Sequence, residues 1–282
     1  MPAKQTIVMR SIGRCALGFI QNYDSAKVMG ITSKGLFLNT PNRHVLFLTS
    51  QPFRGPLTVN LPQPAPYLEN FSPCAIVEIT PNAIYMVDYS IEFIVSKSTQ
   101  VYLSVDLKKT PLLLPDFQRR ANRIRAALPD EPDSMIGWDQ KTETKLKEYI
   151  KKDDISGLVF ALSEYIGRGS GLTPAGDDFI CGFMLAMDCW GKILVPHVSF
   201  RQLVLNLQKV ANKKTTSLSA NLIACAAQGA ADERIINCLL WLHSGQEDFS
   251  HIIEELQSYG SSSWQDTLRG IFAAVECICP VC

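Results

Sequence analysis

The chain has 282 residues, 46% of them hydrophobic and 19% charged, enough to bury a large core and long enough for two domains. Its 27 basic and 27 acidic residues balance, which leaves no electrostatic footprint for nucleic acid or an anionic membrane, so any anion specificity has to be local. No stretch reads as a charged leader with an apolar core and a cleavage site, and no apolar run approaches the length of a bilayer span, so a cytoplasmic location is expected.

Residues 5 to about 107 are β-rich by alternation and β-branched content. Thr6–Arg10, Cys15–Asn22 and Lys27–Ile31 read as short strands, and Leu36–Asn39 and Val45–Thr49 flank the turn signal Thr40-Pro41-Asn42-Arg43 as a hairpin. Pro52, Pro56, Pro62, Pro64, Pro66 and Pro73 remove sheet donors, so Pro52–Pro73 reads as a surface excursion. Strands resume at Ala75–Ile79, Ile84–Asp88, Ile91–Val95 and Val101–Val105. A sheet closed or folded over itself, barrel- or sandwich-like, hides the edges of so many short strands.

After Lys108-Lys109-Thr110-Pro111 the period changes from two to about 3.6 residues, which marks a domain boundary. Asp116–Leu128 is an amphipathic helix whose Arg119, Arg120, Arg123 and Arg125 read as a solvated face; Pro129–Pro132 breaks the chain, and Lys141–Lys151 is a second polar helix. From Ile155 onward nearly every segment is helical. The expected class is α+β: a β-rich domain over 1–110, connecting helices over 111–154 and an α-helical domain over 155–282. Most of the nine cysteines sit in apolar, periodic settings and read as reduced thiols. Cys279 and Cys282 have a zinc-type spacing, but no second pair or nearby histidine completes a site, which favours a frayed terminus.

The chemistry concentrates at Gly167-Arg168-Gly169-Ser170-Gly171-Leu172-Thr173-Pro174-Ala175-Gly176-Asp177-Asp178, between the apolar run Leu158–Ile166 and the buried helix Phe179–Trp190. Thr173 suits an N-cap, Pro174 the first helical position, and acids in the first turn complement the helix dipole. Gly167, Gly169, Gly171 and Gly176 open the backbone to a ligand, the unpaired first amides suit a small anion, and Arg168 adds a bidentate contact. A capped helix with a glycine turn and no ligand is the alternative. Sliding the sequence by 88 residues places Asp178 on Asp266, Gly182 on Gly270 and Thr173 on Ser261, so a second helix start echoes the first. If the helices cross at Gly182 and Gly270, Asp178 and Asp266 converge with Asp177, Ser261, Ser262 and Ser263 on one pocket that holds an amide or ammonium group beside an anion, or Mg2+ with a phosphate. Against this stand ordinary helix packing and a Ser263/Asp266 cap. Thr216, in Lys213-Lys214-Thr215-Thr216-Ser217, adds a hydroxyl to the pocket or simply caps its own helix. No serine elbow, P-loop or histidine pair at metal spacing is present.

The run Gly-x-Gly-x-Gly-Leu-Thr-Pro-x-x-Asp-Asp-x-x-x-Gly over Gly167–Gly182 resembles the signature of the AllH-like bacterial proteins, formerly a domain of unknown function and labelled carboxylase-related. That resemblance implies a subunit of an oxamate carbamoyltransferase in allantoin degradation, working with companion subunits to interconvert oxalurate plus phosphate with oxamate plus carbamoyl phosphate. The family's second motif, Gly-His-Ser/Thr-Ser-Gly-x-Asp-x-x-x-Gly, is altered here: Ser261 and Trp264 stand at its histidine and inner glycine, while Asp266 and Gly270 are kept. Two classes stay open: an enzyme subunit in which Asp177, Asp178 and Asp266 serve catalysis, and a non-catalytic small-ligand or partner-binding subunit. Neither requires a cofactor beyond the Mg2+ option, and the expected partners are a small anionic metabolite and companion chains, with no nucleic acid and no membrane.

Overall fold

Alternation of buried and exposed side chains builds a ten-stranded sheet from the first hundred residues. The computed structural model describes residues 4–103, 113–127 and 137–279, and the chain falls into two compact units, Met1–Ser104 and Val105–Cys282. The first unit holds β1 (Gln5–Val8), β2 (Ser11–Gly13), β3 (Ser25–Thr32), β4 (Gly35–Asn39), β5 (Val45–Thr49), β6 (Thr58–Asn60), β7 (Ile76–Thr80), β8 (Ala83–Met86), β9 (Ile91–Ile94) and β10 (Gln100–Tyr102). Their order is β1-β9-β8-β7-β3-β4-β5-β6-β2-β10. The two ends of that order meet, because β1 and β2 belong to one extended segment broken only at Met9 and Arg10. Its first half runs parallel to β9 and its second half lies between β10 and β6, so the sheet curls on itself as a half-barrel. The barrel-like expectation holds.

The expected hairpin is β4 and β5, antiparallel with Leu36 opposite Leu48 and Leu38 opposite Leu46. These four leucines are fully buried with Val59, Ile84 and Phe93; each such side chain withdrawn from water stabilises the unit by about 1.5–3 kcal/mol.

Two stretches differ from expectation. Cys15–Asn22 is not a strand but lies within the helix α1 (Arg14–Asn22), which buries Ala16, Phe19 and Ile20 at helical spacing. The alternation of Cys15, Leu17 and Phe19 mimics a strand, yet the face that packs is 16-19-20. Pro52–Pro73 is also more than a surface excursion: between its prolines lies β6, parallel to β5 and antiparallel to β2. The Asn60 side chain accepts from the Ser11 hydroxyl at 2.8 Å and donates to the Gln51 and Phe53 carbonyls, both at 2.9 Å, replacing ladder bonds that the prolines withhold.

The second unit is helical: α2 (Leu114–Ala127), α3 (Gln140–Lys151), α4 (Ile155–Ser163), α5 (Ala175–Ala186), which continues through a π-helical turn (Met187–Gly191) into α6 (Lys192–Leu194), then α7 (Phe200–Lys214), α8 (Ser217–Ala226), α9 (Glu233–Ser244), α10 (Phe249–Gln257) and α11 (Ser263–Ile278). Acid caps start several of them: Asp139, Asp154, Asp232 and Asp248 each accept a first-turn amide. The described residues contain no helix long and apolar enough to cross a membrane. The break at Pro129–Pro132, the Lys108–Pro111 boundary and Cys282 lie outside the described residues.

The arginine face of α2 needs one correction. Arg120 is buried, not solvated, and donates from Nε to the Leu242 carbonyl at 2.8 Å and from Nη2 to the His243 carbonyl at 2.7 Å. It thereby satisfies two carbonyls left open in the last turn of α9.

Candidate functional site

The Gly167–Pro174 loop takes a path that only glycines follow without strain: Gly167, Gly169 and Gly171 have φ of +79°, +110° and +94°. At Gly167 the Lys214 carbonyl lies 2.5 Å from where a Cβ would sit, so the loop is packed directly on the end of α7. Asp177 fastens this arrangement. Its Oδ1 accepts the Gly167 amide at 2.7 Å and its Oδ2 accepts the Thr215 hydroxyl. Gly176 donates to the Arg168 carbonyl at 2.9 Å and has no room for a side chain against the Tyr165 carbonyl.

The helix begins one residue later than the sequence suggests. Pro174, not Thr173, is the N-cap of α5 and makes no side-chain cap bond; its carbonyl accepts the amides of Asp177 at 2.8 Å and Asp178 at 3.2 Å. Thr173 turns its hydroxyl to the Asp178 carboxyl instead. Likewise Ser262, not Ser263, is the N-cap of α11, so the Ser263/Asp266 cap does not form. The Ser263 hydroxyl is a hydrogen-bond partner of Asp178.

That contact crosses between two helices, and glycine permits it. A Cβ on Gly182 would overlap the Thr267 carbonyl oxygen, and one on Gly270 would overlap the Phe179 carbonyl oxygen. Backbone therefore rests on backbone at both positions. The Asp178–Ser263 contact lies N-terminal to this crossing on both helices, so α5 and α11 run in the same direction and their N-termini, with Asp178 and Asp266, lie at the same end. Two positive dipole ends share that end. The set of unpaired first amides expected from the sequence is not found there: the Gly176 amide donates to the Arg168 carbonyl, those of Asp177 and Asp178 to the Pro174 carbonyl, and those of Gln265 and Asp266 to the Ser262 carbonyl at 2.9 and 3.2 Å.

The two acids differ in surroundings. Asp266 is buried, and its Oδ1 accepts from Arg269 Nη1 at 3.0 Å, one turn along the same helix. Asp178 is 3% exposed. Burial pushes its pKa up to about 8; hydrogen bonds from Ser263 and Thr173 oppose the rise, while the charges of Asp266 and Asp177 add to it. A carboxyl of this kind carries its proton at neutral pH and can give it up or take it back within a narrow pH range. Cys181 and Tyr259 border it: burial raises both pKa values well above their ordinary ranges, and the charge of Asp178 adds to each.

The structure thus gathers Asp178, Asp266, Thr173 and Ser263, with Asp177 on the loop side of the same helix start. Ser261 and Ser262 are exposed at the start of α11. Arg168 stands on the exposed loop with its guanidinium 5.3 Å from the Tyr165 ring centroid. Thr216 caps α8, accepting the Ser219 amide at 3.1 Å, and donates to the Leu172 carbonyl at 2.8 Å, so it supports the loop from beneath. Gly169 and Gly171 are exposed in the same loop, and a Cβ on Gly171 would meet open space. Among the described residues no three His, Cys, Asp or Glu side chains gather as a metal-binding set. Thr215 lies in the hydroxyl-bearing stretch read from the sequence, though its bond to Asp177 is not visible there, and Tyr259 precedes Gly260 with no motif of its own.

Residues 165–275 match the AllH family. The family model, described as oxamate carbamoyltransferase subunit AllH, covers the glycine loop, both glycine-crossed helices and the helices between them. The resemblance read from Gly167–Gly182 is borne out over that region. No curated protein and no solved structure matches the chain.

Proposed function

We propose that the protein is a subunit of a carbamoyltransferase-type enzyme, and that the paired helix starts around Asp178 handle the carbamoyl group. In the reaction expected of an AllH-type protein, a phosphate oxygen attacks the carbamoyl carbon of oxalurate, the bond from that carbon to the oxamate nitrogen breaks, and this nitrogen needs a proton as it leaves. The observation that carries the reading is a buried carboxyl that holds its proton at neutral pH, aimed at by two hydroxyls and flanked by a second acid paired to Arg269. Asp178 supplies the proton to the leaving nitrogen and recovers it in the reverse direction. The positive dipole ends of α5 and α11 stabilise the anionic oxygen that develops on the carbamoyl carbon, and the loop with Gly167, Arg168, Gly169 and Gly171 receives the oxamate carboxylate or the phosphate. Companion subunits complete the site.

One observation favours the alternative, a ligand- or partner-binding subunit without its own chemistry: Asp178 is nearly fully enclosed, whereas the loop from Arg168 to Leu172 is exposed. Phosphate-dependent release of oxamate by the reconstituted complex separates the two. Asp178→Asn is expected to lower turnover by about 100-fold or more with assembly intact; a change of about threefold or less leaves the binding role. A thermal-shift panel of oxamate, oxalurate, carbamoyl phosphate, phosphate and Mg2+ on the chain alone identifies what the loop binds.

A further inference from the structure

Arg234 sits far along the chain from the glycine loop, yet it holds the turn that leads to Ser263, the partner of Asp178. The guanidinium forks onto Asp232, Nε to Oδ1 at 2.7 Å and Nη2 to Oδ2 at 2.9 Å. With Nη1 it holds both the carbonyl and the hydroxyl of Ser258, at 2.8 Å and 3.0 Å. Its plane also lies 5.0 Å from the Tyr259 ring centroid. Asp232 is itself fixed as the N-cap of α9. One planar group therefore ties the start of α9 to the end of α10 and to the turn that follows. That turn passes through Gly260, at φ +70°, and leads within three residues to Ser263. A lysine offers a single point charge and cannot make these bonds together.

We infer that Arg234 is a positioning residue: by clamping Ser258 and Tyr259 it seats the Ser263 hydroxyl on the Asp178 carboxyl. The inference rests on the reading that the protonation of Asp178 matters, but its test does not depend on turnover. The charged and titratable groups facing Asp178 are Asp177 and Cys181 on its own helix, Asp266 on α11 and Tyr259 on the turn before it. Of the two hydroxyls that stabilise its charged form, only Ser263 lies beyond the clamp.

The experiment is a carboxyl-carbon NMR titration of the full chain labelled at aspartate, with the Asp178 signal assigned by its loss in Asp178→Asn. Ser263→Ala is expected to move the Asp178 midpoint upward by about half a pH unit or more, because a bond to the charged form is lost. Arg234→Lys, the milder variant, and Arg234→Gln are expected to shift it in the same direction. The double variant Ser263→Ala/Arg234→Gln should shift no further than Ser263→Ala alone, the mark of one residue acting through the other. A midpoint unchanged in both Arg234 variants, or shifts that add in the double variant, overturns the inference. Loss of turnover in Asp178→Asn bears only on the carbamoyltransferase reading, so the two can fail separately.

Discussion

Replacing Asp178 with Asn should make the helical unit more stable at alkaline pH. In the unfolded chain this carboxyl titrates near 3.8, and in the folded chain near 8. Between those values the unfolded state has released a proton that the folded state still holds, so the group's contribution is greatest below 3.8 and is lost as pH rises through the folded value. The slope is about 1.4 kcal/mol per pH unit for one group, and about four pH units amount to roughly 6 kcal/mol. Asparagine keeps the shape of the protonated acid, never has to ionise, and can still accept from Ser263 and Thr173. Urea unfolding of wild type and Asp178→Asn at pH 5, 6, 7 and 8 tests this, followed by tryptophan fluorescence. Trp138, Trp190, Trp241 and Trp264, the four tryptophans of the chain, all belong to the helical unit, so the signal reports that unit alone. The stability of the variant relative to wild type is expected to grow by about 4 kcal/mol from pH 5 to pH 8. Parallel curves across that range would refute the assignment of a buried, protonated Asp178.

Further substitutions probe the frame around the pair. Gly182→Ala and Gly270→Ala each drive a methyl into a carbonyl oxygen of the facing helix; both should cost about 3 kcal/mol or more in the same urea assay, and a loss below about 1 kcal/mol would show that α5 and α11 can part cheaply. Gly171→Ala meets open space and pays only for its backbone, so a loss of about 1–2 kcal/mol is expected. Asp177→Ala strips the Gly167 amide and the Thr215 hydroxyl of their acceptor. It should lower stability by about 2–4 kcal/mol and raise protease cleavage within 167–172; an uncut loop would mean that other contacts hold it. Arg120→Met leaves the Leu242 and His243 carbonyls without their donors, an expected loss of about 2–3 kcal/mol that normal unfolding midpoints would contradict.

How far the sequence reveals this molecule depends on whether a signal is local. Strands with one buried face, such as Ile76–Thr80, alternate and can be read directly. The α1 helix cannot, because its apolar residues satisfy both periods until a partner surface selects one. Prolines conceal β6, whose stability comes from the Asn60 side chain and two neighbouring strands and not from its own composition. The glycine loop and the two helix crossings are legible because backbone contact excludes every other residue type. Arg234 and Tyr259 are not, since their relation to Asp178 exists only after three helices have packed.

The repeated helix start carries the deepest case of partial legibility. Shifting by 88 residues shows two equivalent acids, and equivalence suggests equal roles. Three positions further along, the comparison loses that symmetry: Arg269, which pairs with Asp266, falls on Cys181 in the first copy. An arginine one turn along gives Asp266 a charged partner on its own helix, and a cysteine gives Asp178 none. The Ser263 bond to Asp178 has no counterpart either, because Ala175 stands at the equivalent position. Two parallel helices of similar sequence thus place one acid beside a cation and the other among hydroxyls and thiol, and differing surroundings are what drive the proton affinities of neighbouring carboxyls apart. The sequence contains each of these residues. What it lacks is the crossing at Gly182 and Gly270, without which the 88-residue echo would be a likeness between two helices and not a pair of acids facing a common end.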